Sequence, residues 1–289
     1  MNAQLALIGG SGLYSMEGVQ PLEEIEVPTP WGLPSDRVTI GDVGGEPVAF
    51  LPRHGKGHRY LPAEVPSQAN IWALKSLGVQ QIISVSAVGS LSESFAPGDF
   101  VLCDELIDRT TGRQGSFFGQ GVVGHVGFAD PFCMGMRAAI AGVLRGHGHP
   151  HHPSGTYVCM EGPAFSTRAE SDLHRSWGAE LIGMTAVPEA KLAREAEICY
   201  ATIAMVTDYD CWKANEESVS VEMVVETMKR NTAAVQRMIP DIVAALKERD
   251  DCDCRHAASS ALMTDPVLIP YDVRRKVALF YDRYWEKKE

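Results

Sequence analysis

The 289-residue sequence contains no apolar run near the roughly 18 residues that a membrane-crossing helix needs, so no such helix is expected. It also lacks positive charge: 26 Lys and Arg stand against 37 Asp and Glu, giving a formal net charge of −11. That balance argues against a sequence-independent grip on nucleic acid or anionic lipid, yet it permits an anion site where a few basic groups gather. No cationic stretch precedes the first apolar residues, and residues 1–16 soon meet glycines. They read as a strand running into a turn rather than an export signal, and a cytoplasmic protein is expected. Internal repeats and interdomain linkers are absent too. Residues 1–289 are therefore expected to form a single domain around one large core, with 248–289 a less regular C-terminal extension ending in a helix.

What is present is the rhythm of an α/β protein, short apolar runs alternating with helical patterns. Strands are expected at residues 4–8, 38–40, 48–51, 81–86, 100–103, 156–160, 181–184 and 200–207. Several are continuous apolar runs, as suits strands covered on both faces. Helices are expected at 67–77, 133–145, 167–177, 188–195, 220–247 and 271–285. The longest carries one apolar stripe at three- and four-residue spacing. Pro240 lies within it and predicts a kink or two consecutive helices. Residues 109–127 and 146–153 read as surface loops.

Chemistry-bearing residues cluster where these runs end. Gly9-Gly10-Ser11-Gly12 follows the first strand, where backbone amides and a hydroxyl can approach an anion. Alone it is equally a tight turn, since it has neither the full dinucleotide fingerprint nor the lysine of a phosphate-binding loop. Arg53-His54-Gly55 offers a guanidinium fork and an imidazole at another strand end. Residues 84–90 end a buried strand in small hydroxyl residues and glycine. Phe165 is placed to stack on a flat base, while Thr167 and Glu170 have the spacing of a helix capping box. Asp208 and Asp210 close a buried run, where burial and repulsion raise at least one carboxyl pKa and suit a proton donor. Each feature has an ordinary structural explanation. Their order, an anion site and a carboxylate pair at successive strand ends, points to one site.

With these segments the sequence resembles the trimeric purine nucleoside phosphorylases, in particular the branch acting on 5′-methylthioadenosine. The resemblance is carried by I-G-G-S-G-L (8–13), R-H-G (53–55), Q-A-N-I-W-A-L-K (68–75), A-V-G-S-L (87–91), P-G-D (97–99), L-I-D-R-T-T (106–111), D-P-F-C (130–133), E-G-P-A-F-S-T-R-A-E-S (161–171), G-M-T-A-V-P-E-A (183–190) and T-D-Y-D-C-W (207–212). It implies a nucleoside phosphorylase-like fold: a central mixed β-sheet, partly barrel-like, flanked by helices. It places Ser11, Arg53, His54, Ser86, the Ala87 amide and Thr185 at phosphate, Met184 at the ribose, and Phe165 with Ser166 at the base. Asp208 and Asp210 fall opposite the purine edge. Val221, Val224 and His125, the last from a neighbouring subunit of a homotrimer, fall near the 5′ substituent. The family often has threonine at positions 11 and 86, where serine keeps the hydroxyl. Position 164 is alanine where a polar residue is common, and Val65-Pro66-Ser67 replaces an asparagine–tyrosine pair.

The implied reaction is phosphorolysis of 5′-methylthioadenosine to adenine and 5-methylthioribose 1-phosphate. Inorganic phosphate is a co-substrate, and no metal or organic cofactor is expected. Rival readings are a phosphorylase of adenosine, 6-oxopurine nucleosides or methylthioinosine, a nucleoside hydrolase, and a non-catalytic nucleotide-binding protein. A carboxylate pair favours a 6-amino purine, because a 6-oxo group would set one acceptor against another.

Two groups of metal-ligating residues stand outside this constellation. The seven cysteines are an odd count and are expected as thiols. Cys252-Asp253-Cys254 resembles half of a zinc or redox pattern without a second half nearby. Thermophilic relatives carry a similar motif together with disulfides, and Cys133 and Cys199 look like a pair used there. His147, His149, His151 and His152 lie between glycines and prolines and are expected in a mobile surface loop without a metal.

Overall fold

The computed structural model describes residues 2–10, 20–213, 221–247 and 252–285. Among these described residues eleven strands and six α-helices follow in chain order. The N-terminal half holds β1 (Leu5–Gly9), β2 (Gln20–Ile25), β3 (Val38–Val43), β4 (Glu46–Pro52), α1 (Ser67–Ser76), β5 (Gln81–Ser90), β6 (Phe100–Leu102) and β7 (Glu105–Arg109). Then come α2 (Met134–Gly146), β8 (His151–His152), β9 (Thr156–Met160), α3 (Arg168–Ser176), β10 (Leu181–Gly183), α4 (Ala186–Glu195), β11 (Cys199–Asp208), α5 (Val221–Lys247) and α6 (Tyr271–Trp285).

The strands form one mixed sheet in the order β2-β3-β4-β1-β5-β10-β9-β7. It branches at β5, which pairs in parallel with β1 and β11 and in antiparallel fashion with β10. Strand β11 continues the branch through β6 to β8. The barrel-like expectation is met only as far as this branching, since the path of paired strands does not close.

Helices cover both faces, which is why β1 reads as an unbroken apolar run. Ala6 and Ile8 of β1 join the cluster of Ile71 on α1, Leu192 on α4 and Phe280 on α6. Leu5 and Leu7, pointing the other way, join Met136 and Ile140 on α2 and Val235 and Ile242 on α5. The C-terminal helix thus belongs to the core. Tyr281 is fully buried and donates to the Glu195 carbonyl at 3.1 Å.

Three expectations change. Helix α5 runs as one element through Pro240 rather than as two helices; Met238, Ile239, Ile242 and Val243, all buried around the proline, hold it together although one backbone donor is lost. Strands β2 and β7 carry charged residues on half-exposed edges, and so lack the apolar run that marks the others. The histidine segment is not a free loop. His151 and His152 pair with Phe100 and Val101, His147 binds Asp241 at 2.7 Å, and His152 binds Asp99 at 2.8 Å. The capping box is formed as read, the Glu170 amide donating to Thr167 Oγ1 and the Thr167 amide to Glu170 Oε2.

Candidate active site

Parallel strands β1, β4, β5 and β11 end on one side of the sheet, where an open α/β sheet places its ligands. A cavity of about 270 Å³ lies there, lined by Gly10, Arg53, Ser86, Thr185, Phe165 and Asp208 among others.

Arg53 follows directly on β4, its amide tied to the Gly9 carbonyl at 3.0 Å. Its guanidinium is buried and forked onto Glu189, Nε to Oε2 at 3.0 Å and Nη2 to Oε1 at 2.9 Å. Nη2 also reaches Ser84 Oγ at 2.7 Å, and Nη1 the Val85 carbonyl at 3.2 Å. Glu189 accepts a further bond from the Tyr200 hydroxyl at 2.8 Å. This charge is therefore fixed at the cavity edge before any ligand arrives, and the pair tolerates burial because its hydrogen bonds are made.

Next to it, Ser86 Oγ and Thr185 Oγ1 are buried and make no hydrogen bond in the described structure. Both residues line the cavity. Two buried orphan hydroxyls are costly unless a ligand satisfies them. His54 also lines the cavity. Its Nδ1–H donates to the Tyr60 carbonyl at 2.9 Å, which leaves Nε2 without a proton when the ring is neutral. Burial, aided by the Arg53 charge, lowers its pKa to about 4, so at neutral pH His54 is an acceptor.

The opposite wall is acidic. Where β11 runs beside β5 the register shifts between Val206 and Asp208, and this bulge turns Asp208 toward the cavity. Its Oδ1 accepts from the Asp210 amide at 2.8 Å, and Oδ2 lies 2.7 Å from Thr207 Oγ1. Thr207 Oγ1 is also 3.1 Å from the Val88 carbonyl. Burial raises the pKa of Asp208, and burial does the same for Asp210. Gly89 makes the close approach possible, for a Cβ there would stand 3.0 Å from Asp208 Oδ1.

Arg113, read only as part of a loop, is a positioning residue. Its buried guanidinium donates to the carbonyls of Met184, Val187 and Glu161, each at 2.7 Å, and so holds the Met184 and Glu161-Gly162 walls together. Gly162 has φ +71°, and a side chain there would collide with Met184 Sδ.

Of the residues expected at the site, Arg53, His54, Ser86, Ala87, Phe165, Met184, Thr185 and Asp208 line the cavity. Asp210 does not line the cavity, but its amide holds Asp208 Oδ1. Ser166 stands off the lining, with its Oγ 3.7 Å from Met160 Sδ. His125 is exposed, its amide bonded to the Ala261 carbonyl at 2.9 Å, and does not line the cavity of its own chain. Ser11 lies outside the described residues, as do the side chains of Val221 and Val224. Further along the same helix Met228 and Thr232 reach the cavity, and His58 and Pro62 complete its rim. The apolar stripe of α5 held the signal for Met228, whereas nothing local marked Thr232, His58 or Pro62.

An arginine-anchored floor with two buried hydroxyls thus faces a buried carboxyl across a cavity at the strand ends of a mixed sheet. The chain belongs to the phosphorylase superfamily, whose family model matches residues 4–244. It is 47% identical over 289 residues to S-methyl-5′-thioadenosine phosphorylase of Koribacter versatilis, covering 100% of this chain and 99% of that one. Its identity to the enzyme of the same name from Geobacter sulfurreducens is 49% over 285 residues, 98% and 100% of the two chains. Among solved structures it is similar to a methylthioadenosine phosphorylase from an antarctic soil metagenomic library, with TM-score 0.92, 44% identity, and 96% and 99% of the chains covered. The Schistosoma mansoni methylthioadenosine phosphorylase in complex with adenine matches with TM-score 0.83 and 35% identity, over 97% and 98% of the chains.

Proposed function

We infer that this protein is a pentosyltransferase that cleaves 5′-methylthioadenosine with inorganic phosphate, releasing adenine and 5-methylthioribose 1-phosphate. The observation that carries the reading is the pair of buried, unpartnered hydroxyls of Ser86 and Thr185 beside Arg53, in the cavity that Asp208 faces. The relatives named above supply the nucleoside.

In our reading phosphate lies on Ser86, Thr185, the Ala87 amide and Ser11, drawn by the fixed charge of Arg53. His54 Nε2 accepts the proton of a P–OH group and so orients the anion without adding charge. Phosphate is then both nucleophile and counter-charge for the positive charge that grows on the ribose as the glycosidic bond breaks. Phe165 packs on the base and Met184 on the ribose. Asp208 gives its proton to N7 of the departing adenine, while carboxylate oxygens of Asp208 and Asp210 accept from the exocyclic amine. Proton donation of this kind accelerates such steps about 10²–10⁴-fold. Nucleophile, counter-charge and acid are all accounted for, so the reaction calls for no metal or organic cofactor.

We assign the 5′-methylthio group to the apolar side formed by α5, with Val221 and Val224 in the half-helix nearest Met228, and with His125 entering from a neighbouring subunit of a homotrimer. Exposed Val123 and Met263, bonded to each other beside His125, support burial of that surface between subunits. The whole chain is read as one domain, since residues near both termini share a core cluster. A cytoplasmic location fits its seven thiols. Among the described residues no helix is long and apolar enough to cross a membrane.

A panel of 5′-methylthioadenosine, adenosine, inosine and methylthioinosine, run with and without phosphate, tests the reading. Release of adenine from methylthioadenosine should depend on phosphate and exceed every other turnover. Release without phosphate, or preference for inosine, would overturn it.

A further inference from the structure

Cys252 and Cys254, half a metal-binding pattern in the sequence, meet the other half in space. Cys133 precedes α2, its amide bonded to the Tyr200 carbonyl at 2.7 Å. Cys199 opens β11, and Cys252 and Cys254 lie at the short 3-10 turn Asp253–His256. The four sulfurs all lie within 4.8 Å of one another, with those of Cys133 and Cys252 3.7 Å apart. Three of the four residues are buried and Cys252 is half-buried. Thiolates about 2.3 Å from a tetrahedral zinc ion stand about 3.8 Å from each other, so the cluster has the size of a coordination shell. No cysteine is in a disulfide.

We propose that Cys133, Cys199, Cys252 and Cys254 bind one Zn²⁺ as a closed, all-sulfur structural site that clasps the C-terminal segment onto the sheet. Four soft ligands from three separated parts of the chain favour zinc over magnesium or calcium and leave no position for a substrate. Binding displaces the thiol protons to solvent and transfers no electron. None of the four cysteines lines the active-site cavity. Cys199 and Asp208 are the two ends of β11, about 30 Å apart at the usual strand rise. The clasped segment carries much: Ala258 and Tyr284 bind Glu197 at 2.9 and 2.6 Å, and Leu262 bridges Gly124 beside His125. The ion would fix one end of a strap that Glu197 holds in the middle.

The test uses the full chain, reduced, stripped with a chelator and then given ZnCl₂ or CoCl₂ alone. Elemental analysis should find one zinc per chain, and cobalt should give sulfur-to-metal charge-transfer bands with tetrahedral d–d bands. Cys254→Ser should lose both, and Cys211→Ser should keep both. Zinc should raise the melting temperature and leave kcat unchanged. Failure of the reduced wild type to take up either metal would overturn the proposal, as would cobalt spectra without sulfur bands or metal uptake undiminished in Cys254→Ser. The cobalt spectrum is read on wild type, so it decides the matter even where a variant folds poorly. Disulfides in the unreduced protein, seen by mass, count against the proposal only if reduction restores no binding.

Discussion

His54 stands on the floor of the cavity and Asp208 on its wall, and burial drives both toward neutrality. For the base this means losing a proton, and for the acid keeping one. In the proposed reading, the same loss of water favours a proton acceptor at His54 under the phosphate and a proton donor at Asp208 beside the purine. Charge is allowed only where it is tied down in advance, at Arg53 on Glu189. The proposed mechanism sets a floor that works by fixed position against a wall that works by a movable proton.

The largest effect separates the two. Asp208→Asn removes the movable proton and leaves the floor intact. Turnover of 5′-methylthioadenosine should fall about 10²–10⁴-fold, with the KM for phosphate little changed in a phosphate-coupled assay. The proposed mechanism needs the acid form, so raising the pH through the elevated pKa of Asp208 should lower kcat in the wild type and not in the variant. A parallel loss of phosphate affinity would break the division.

Much of this division was legible in the sequence because Arg53 and Asp208 sit at strand ends and Ser86 lies where the small hydroxyl residues of β5 begin. Arg53, Ser86 and Asp208 each follow an apolar run, and a polar group so placed has to serve something. What holds them was not legible. Arg53 and Glu189 meet across 136 positions, and Arg113 braces Met184 across 71. Glu189 reads locally as one acidic residue at the start of a helix, and Arg113 as a charge among glycines. The cysteine cluster was hidden for the same reason, since its halves are far apart along the chain. Edge strand β2 was missed because an exposed edge needs no apolar face.

The next largest effect tests the fixed half. Glu189→Ala leaves a buried guanidinium without its counter-charge, which costs about 3–5 kcal/mol. Chemical denaturation should show a loss of this order, and residual folded enzyme should bind phosphate poorly because Arg53 is no longer aimed. A stable Glu189→Ala protein would mean that the floor is not pre-set by this pair. A smaller loss is expected when only the orphan hydroxyls go. Hydrogen bonds to a charged group are worth about 1.5–3 kcal/mol each. Ser86→Ala should therefore raise the phosphate KM roughly ten- to a hundredfold, and Thr185→Val should do the same. Folding stability should hold or improve, since each change removes an unsatisfied buried group.

The smallest effect concerns His54 and turns on sign. Its pKa is about 4 in the folded protein against an ordinary 6.5. Between those values the unfolded chain takes up a proton that the folded chain refuses, so protonation favours unfolding. Stability linked to His54 is thus complete above pH 6.5, and it drains away as the pH falls toward 4. His54→Gln keeps a donor for the Tyr60 carbonyl and cannot titrate. Melting temperatures over this range should fall less steeply for the variant than for the wild type, by a modest but consistent margin. Equal slopes would mean that His54 takes up its proton as readily in the folded protein as in the unfolded chain, and burial would then not be what keeps it neutral.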